Sequence, residues 1–97
     1  MTLTWIEKRE MGDDLLLLLG GGATHIGCVA VCEPGEEPRT ISLVGHKEDV
    51  VAAPLAQAVA SRTGRRVAVV AGIHYDEITT EQIQQVIDEC KEYEVGA

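Results

Sequence analysis

The feature that most constrains the fold is an uninterrupted apolar run in the last third of the chain. The segment Arg66 to Ile73 reads Val-Ala-Val-Val-Ala-Gly-Ile after its leading arginine. Such a run is typical of a central strand that is covered on both faces. A second apolar run, Leu15 to Leu19, is five residues long and ends in Gly20-Gly21-Gly22, which favours a strand over a helix. The fold must therefore place other elements over at least two apolar strands.

Three further segments have the character of strands: Thr2 to Glu10, His25 to Cys32 and Arg39 to Val44. Short turn sequences separate them, including an acidic segment, Glu33 to Pro38, that contains two prolines and a glycine. Four strands that follow one another through short connections predict an antiparallel meander.

Beyond His46 the apolar residues recur at spacings of three and four, which indicates an amphipathic helix packed on a sheet. Its predicted buried residues are Val50, Val51, Pro54, Leu55, Ala58 and Val59. Gly64 ends this helix, and Pro54 predicts either a kink or a start near Ala52 or Ala53. Thr79 or Thr80 is expected to cap a last helix. The predicted buried stripe of that helix is Ile83, Val86, Ile87 and Cys90.

The predicted fold class is therefore α/β, in the broad sense that includes α+β, as a single domain over residues 1–97. The element order is ββββαβα, with a largely antiparallel sheet and two helices packed on it. Apolar residues make up 45% of the chain, yet there is no Phe, one Trp and two Tyr. The predicted core is aliphatic, and a second chain could complete it.

Charge and cysteine usage exclude several classes of function. Sixteen acidic and eight basic residues give a net charge of −8, which repels nucleic acid. The longest apolar run is too short to span a membrane, and residues Met1 to Glu10 lack the apolar stretch of a signal peptide, so a cytoplasmic protein is expected. Three cysteines, Cys28, Cys32 and Cys90, predict free, buried thiols rather than disulfides, redox centres or metal ligands.

Candidate binding residues lie in three segments that each join a histidine to a glycine-containing turn. They are Gly20-Gly21-Gly22-Ala23-Thr24-His25, Gly45-His46-Lys47-Glu48-Asp49 and Gly72-Ile73-His74-Tyr75-Asp76. The triple glycine could cradle a phosphate or form a plain hairpin loop. The second segment could bind an anion at a helix start, or be a self-capped helix with a solvated acidic face. His74 could meet a ligand at the end of a strand, or simply close that strand.

No recognised catalytic motif accompanies these histidines. The chain has no P-loop, dinucleotide-binding fingerprint or nucleophile elbow, and His25, His46 and His74 are too far apart in sequence to form a specific metal motif. A small enzyme that uses histidine as an acid or base would need at least two of them to converge in one pocket.

Over these segments, extended to Gly20–Gly27, Gly45–Asp49 and Val69–Asp76, the sequence resembles the prenylated-flavin chaperone-like domain. This domain is the small D-type subunit of hydroxyarylic acid (gallate, vanillate) decarboxylase systems and has a fold akin to proteasome assembly chaperones. The resemblance covers most of the chain, from Gly20 to Tyr93. It implies a non-catalytic accessory protein that binds prenylated FMN or FMN, delivers it to a UbiD-type aromatic acid decarboxylase, and forms a homodimer.

The resemblance also implies which residues hold the cofactor. The implied cofactor-binding residues are Gly20, Gly21, Gly22, Thr24, His25, Gly45, His46, Lys47, His74 and Tyr75. Few aromatic residues are present to stack on the flavin ring: Trp5, Tyr75 and Tyr93. An alternative is a protein assembly or interaction module that does not use flavin, because the aliphatic composition also suits burial against a partner.

Overall fold

A computed structural model describes residues 1–43 and 48–96. It contains five strands and two helices in the predicted order ββββαβα. The elements are β1 (Trp5–Met11), β2 (Asp14–Gly22), β3 (Cys28–Cys32), β4 (Arg39–Ser42), α1 (Asp49–Thr63), β5 (Val67–His74) and α2 (Thr80–Gly96). The single α+β domain that the sequence predicts is therefore present.

The neighbours in the sheet differ from the predicted meander. The strand order is β1-β2-β5-β3-β4, so β5 lies between β2 and β3. Strand β5 pairs in parallel with β2 and antiparallel with β3, and the two outer pairs, β1 with β2 and β3 with β4, are antiparallel. The sheet is mixed. The meander prediction was wrong because the helix α1 carries the chain back across the sheet, so that β5 enters beside β2 in the parallel sense.

Both helices contribute to one core, on one face of the sheet. Alternate residues of the three central strands point into it: Leu15, Leu17, Leu19, Cys28, Ala30, Cys32, Val67, Val69 and Ala71. Helix α1 adds Val51, Ala52, Leu55, Ala56, Val59 and Ala60, and α2 adds Val86 and Cys90. The core is aliphatic, as the composition predicts.

The face that α1 buries agrees with its predicted stripe only in part, because Val51, Leu55 and Val59 are buried as predicted but other members are not. Val50 is 63% exposed and Pro54 is also exposed, whereas the small residues Ala52, Ala56 and Ala60 are buried. The small side chains of these alanines allow the helix to pack close to the sheet. The helix begins at Asp49, before the predicted start, and Pro54 lies inside it.

The ends of the two helices follow the sequence signals. Gly64 adopts a left-handed conformation with φ of 70° and ends α1. Thr79 and Gln82 cap α2 reciprocally, because each side chain bonds the backbone N–H of the other residue, at 3.1 and 2.9 Å. On α2, Val86 and Cys90 are buried as predicted, but Ile83 is 47% exposed. No helix within residues 1–43 or 48–96 has the length and apolar character needed to cross a bilayer.

Candidate functional site

Two of the three candidate segments lie side by side at one end of the sheet. Strands β2 and β5 finish together there, with Gly20 paired to Gly72, Gly21 to Ile73 and Gly22 to His74. We call this region, Gly20–Gly22 with Gly72–His74 and the residues packed on them, the glycine end. The parallel pairing of β2 and β5 brings the two segments together.

The third candidate segment falls partly outside the described residues, which omit Gly45, His46 and Lys47. The residues on either side of it lie at the glycine end. The N–H of Leu43 donates to the carbonyl of Gly27 at 2.9 Å, and Glu48 contacts His25. The proposed roles of Gly45, His46 and Lys47 therefore stay predictions, next to a region that the structure does describe.

The triple glycine is the end of a strand rather than a hairpin loop. Its residues are glycine because other groups lie where side chains would be. A Cβ at Gly20 would overlap the indole of Trp5, a Cβ at Gly21 would overlap the carbonyl of Leu3, and a Cβ at Gly22 would overlap the carbonyl of His74. These three glycines thus have a packing role that is independent of any ligand.

The connection from β2 to β3 crosses over the end of β5. Its backbone passes so close to Gly72 that a Cβ there would overlap the carbonyl of His25. The connection is fixed at both sides, because Ala23 N–H donates to the carbonyl of His74 and Gly27 N–H donates to that of Ala71, both at 2.9 Å. His25 is therefore held over the sheet by its own backbone.

The imidazole of His25 lies between a carbonyl and a carboxylate. Nδ1 is 3.0 Å from the carbonyl oxygen of Ala23, and Nε2 is 3.2 Å from Oε1 of Glu48. The side chain is 28% exposed. Two polar contacts on opposite sides of the ring fix its orientation.

Glu48 is the buried charged residue of the described chain, at 9% exposure. It is the N-cap of α1, but its side chain makes no capping hydrogen bond. Instead Oε1 accepts from the N–H of Ile73 at 3.4 Å and faces His25, while a Cβ at Gly27 would lie 2.7 Å from Oε2. The prediction that Glu48 belongs to a solvated, self-capped helix face was wrong.

His74, Tyr75 and Thr24 occupy the outer side of the glycine end. His74 is 57% exposed and its Nε2 lies 3.0 Å from Oδ1 of Asp76. The hydroxyl of Tyr75 donates to the carbonyl of Leu3, and its ring packs beside Gly22. Thr24 is exposed, with its methyl group toward Gly20. Polar side chains and the aromatic ring of Tyr75 therefore surround the end of the sheet.

Aromatic residues are divided between two places. The Trp5 indole covers Gly20, and Tyr75 lies at the adjoining strand end, so two of the three candidates for flavin stacking are at the glycine end. Tyr93 packs against the core from α2 and, together with Trp5, lines a groove of about 420 Å³ beside β1. A second groove, of about 380 Å³, lies at β3 and β4 and is lined partly by Val31, Arg39 and Ile41. The predicted binding residues line neither groove.

Comparison with protein families shows which family the chain belongs to. The family model of the prenylated flavin chaperone LpdD-like domain matches residues 3–95. The chain belongs to this family. The match covers all five strands and nearly all of α2, so it confirms the resemblance drawn from the three glycine and histidine segments. Among curated proteins, none matches the sequence significantly.

The cysteines of this LpdD-like domain are free and buried, as predicted. Burial raises the pKa of Cys28 and Cys32, and that of Cys90 to about 12. A thiol with a raised pKa carries little of the reactive thiolate form at neutral pH. In the parts of the chain that the structure describes, no group of three or more His, Cys, Asp or Glu side chains is arranged to hold a metal ion.

Two contributors to the glycine end of the LpdD-like domain were missed from the sequence. Glu48 was grouped with Asp49 as a solvated acidic residue. The sequence does not indicate which of these two neighbouring acidic side chains is buried. Gly27 belongs to a segment that carries the family resemblance but was not among the candidate binding residues, although it packs against Glu48. A glycine directly before an apolar strand, as Gly27 stands before Cys28, was the available signal that another group packs closely against the backbone there.

Proposed function

We propose that the chain is a non-catalytic accessory protein that binds prenylated FMN and delivers it to a UbiD-type aromatic acid decarboxylase. We further propose that it acts in the cytoplasm as a homodimer. Membership in the prenylated flavin chaperone family is the observation that carries the proposal. Family membership supports the existence of a partner enzyme that uses the flavin. We propose that this partner enzyme is a decarboxylase.

The proposed binding site is the glycine end. Its groups suit a flavin mononucleotide in kind: the His74 imidazole and the Thr24 hydroxyl for hydrogen bonds, and the Trp5 and Tyr75 rings for the flat isoalloxazine. The His25 ring, whose two nitrogens contact Ala23 and Glu48, offers a fixed ring edge to the ligand. Gly20, Gly21 and Gly22 contribute indirectly, because the absence of their side chains leaves room for the Trp5 indole and for the backbone around it.

We propose that the phosphate binds Gly45, His46 and Lys47, which directly precede Glu48 in the sequence. A buried carboxylate, Glu48, lies beside His25. Because like charges repel in a partly buried setting, the phosphate is expected to avoid the face of His25 that contacts Glu48. In the sequence, Lys47 precedes the start of α1 by two residues and supplies a positive charge, and His46 adds a hydrogen-bonding group.

The experiment is a fluorescence titration of the purified protein with FMN and with prenylated FMN. The variants His46→Ala and Lys47→Ala are expected to weaken binding by about tenfold each, since each removes one contact to a phosphate. Lys91→Ala is the matched control, because Lys91 is exposed on α2 away from the glycine end. Equal affinities for Lys47→Ala and Lys91→Ala would contradict the assignment of the phosphate.

A second candidate function is a protein interaction module that does not use flavin. It is favoured by the face of the sheet opposite the helices, where apolar residues such as Val31 and Ile41 are 38% and 70% exposed. Under this alternative the wild-type protein would bind neither FMN nor prenylated FMN in the titration. It would still bind a protein partner through that face of the sheet.

A further inference from the structure

The two edges of the sheet differ in how well they are protected from pairing with another strand. Strands β1 and β4 are the outermost strands, and no described strand lies beyond either of them. On β1 the four residues from Glu7 to Glu10 are all charged, which discourages pairing. Strand β4 reads Arg-Thr-Ile-Ser and is exposed at all four positions. The edge formed by β4 is therefore the less protected one.

The hydrogen bonds between β3 and β4 decide which backbone groups of β4 point outward. The N–H of Leu43 donates to the carbonyl of Gly27 at 2.9 Å, so these residues face each other as a bonded pair. Bonded and non-bonded pairs alternate along an antiparallel ladder. Ile41 therefore bonds to β3 through its backbone, whereas Thr40 and Ser42 do not. The N–H and C=O groups of Thr40 and Ser42 point away from the sheet.

The outward groups of Thr40 and Ser42 form a row of donors and acceptors along the edge. Within residues 1–43 and 48–96 these backbone groups have no hydrogen-bond partner. Alternate residues of an extended chain are ~6.8 Å apart, so a second extended backbone presents its own N–H and C=O groups at the same spacing. The group that matches this row is therefore another strand.

The acidic turn before β4 sets the charge that such a strand needs. Glu33, Glu36 and Glu37 all line the groove of about 380 Å³ at β3 and β4. The basic residues that line it, Arg39 and Arg66, both contact Glu33, at 4.0 and 3.0 Å. Glu36 and Glu37 form no ion pair with any residue that the structure describes. A basic side chain complements these two carboxylates.

Apolar side chains line the rest of the groove. They belong to Val29, Val31 and Ile41. Ile41 is 70% exposed, and Leu43, which follows β4, is 50% exposed. Side chains of a strand alternate between its two faces, so an added strand would present every second side chain to these residues. Apolar residues at alternate positions of the added strand would bury them.

We propose that β4 binds an extended segment of a partner protein as an added strand. The segment carries β-branched apolar residues at alternate positions and a lysine or arginine beside Glu36 and Glu37. Backbone hydrogen bonds to Thr40 and Ser42 hold the segment, and its side chains give specificity. A second copy of this chain is disfavoured as the occupant, because its net charge of −8 would add to the charge of the acidic turn.

An NMR titration of the isotope-labelled full chain with the peptide acetyl-Lys-Lys-Val-Thr-Val-Thr-Val-amide tests the proposal. The amide signals of Thr40 and Ser42 are expected to shift with saturable binding, and their exchange with solvent to slow. The same peptide with every backbone nitrogen methylated keeps the side chains but donates no backbone hydrogen bond, and it is the matched control. Absence of binding, or equal binding of the methylated peptide, would overturn the proposal.

Thr40→Pro tests the edge from the side of the protein. Proline removes the outward N–H of Thr40 and leaves the bonds between β3 and β4 in place, so the fold is expected to persist. Peptide binding is expected to weaken by ~10-fold, since one hydrogen bond is lost. Thr40→Ala keeps the N–H and is expected to bind like the wild type. Equal affinities of Thr40→Pro and Thr40→Ala would contradict strand addition at β4.

A charge reversal in the acidic turn tests the assigned chemistry even if Thr40→Pro fails to fold. A peptide with two glutamates in place of its lysines is expected to bind the wild type at least ~3-fold more weakly. Glu36 and Glu37 are exposed, so the double variant Glu36→Lys with Glu37→Lys should fold, and it is expected to prefer the glutamate peptide. An unchanged preference for the lysine peptide would overturn the assignment of the basic residue.

A concentration series of the protein without peptide distinguishes a second copy from a different partner. Shifts of the Thr40 and Ser42 signals as the protein is concentrated would show that another copy occupies β4, and would overturn the proposal. Constant signals are expected. Peptide binding at β4 requires neither flavin nor the glycine end, so it can fail while the flavin titration succeeds, and the reverse.

Discussion

Glu89 is the residue that fixes the amino-terminal segment to α2. Its carboxylate accepts hydrogen bonds from the N–H of Leu3 at 2.9 Å, from the N–H of Thr4 at 2.8 Å and from the Thr4 hydroxyl. The amide of Gln85 also donates to it, at 2.8 Å. Partial burial opposes the charged form, but these hydrogen bonds outweigh it and lower the pKa of Glu89 below its ordinary value of 4.5.

The depressed pKa predicts how the stability of Glu89→Gln depends on pH. Because the charged form is favoured in the folded state, Glu89 stabilises the fold above pH 4.5, and this contribution is lost as the pH falls below that value. The variant is expected to be less stable by about 1 to 2 kcal/mol at neutral pH, with the difference shrinking in acid.

Urea denaturation of both proteins across this pH range measures the effect. Glu92→Gln is the control, since Glu92 is exposed on the same helix, and it should unfold like the wild type. A constant difference between Glu89→Gln and wild type at all pH values would show that the carboxylate charge is not what stabilises the amino-terminal segment.

The three cysteines provide a second test at the scale of single residues. Because burial raises the pKa of all three thiols, none is expected to react with Ellman's reagent in the native protein at neutral pH. In denaturant all three should react. Rapid reaction of one thiol in the native state would contradict the interpretation of Cys28, Cys32 and Cys90 as small buried hydrophobic residues.

At the scale of elements, the crossing of the β2–β3 connection over β5 depends on Gly72. Gly72→Ala would place a methyl group against the backbone of His25 and is expected to cost about 1 to 3 kcal/mol of stability. Gly96→Ala is the matched control, because the position has open space and is helical, where Ala is preferred.

Thermal unfolding of the two glycine variants measures this prediction. The melting temperature of Gly72→Ala should fall, whereas that of Gly96→Ala should stay unchanged or rise. Equal stability of Gly72→Ala and wild type would mean that the connection does not lie on β5 as described.

The type and order of the elements could be predicted from the sequence because these depend on local patterns. The apolar runs of β2 and β5, the Thr79 cap and Gly64 each signal their own structure within a few residues. Which strands become neighbours depends on how α1 crosses the sheet, and no local pattern contains that information. The meander prediction failed for this reason, although every strand in it exists.

The candidate site was predictable only in part, for a related reason. The glycine and histidine segments were visible as motifs, and the parallel pairing of β2 with β5 brings two of them together. The inward turn of Glu48 was not visible, because the partner that holds it, His25, is distant in sequence. A contact between residues far apart in sequence follows from tertiary packing rather than from composition.

At the scale of the whole molecule, the glycine end and the exposed apolar residues lie on the same face of the sheet, the one opposite the helices. The glycine end carries polar and aromatic groups, and Val31 and Ile41 are exposed farther along that face. Trp5 also lies on this face, where it covers Gly20. A protein that covered the apolar residues would therefore lie close to one wall of the proposed flavin site.

Native mass spectrometry of the wild-type protein with prenylated FMN tests the central claim most directly, because one spectrum reports the number of subunits and the bound mass. The account predicts a dimer that carries prenylated FMN, with less of the ligand retained when Lys47 is replaced by alanine than when Lys91 is. A dimer that remains free of flavin at every ligand concentration would contradict the proposed role as a flavin chaperone and would favour the interaction module instead.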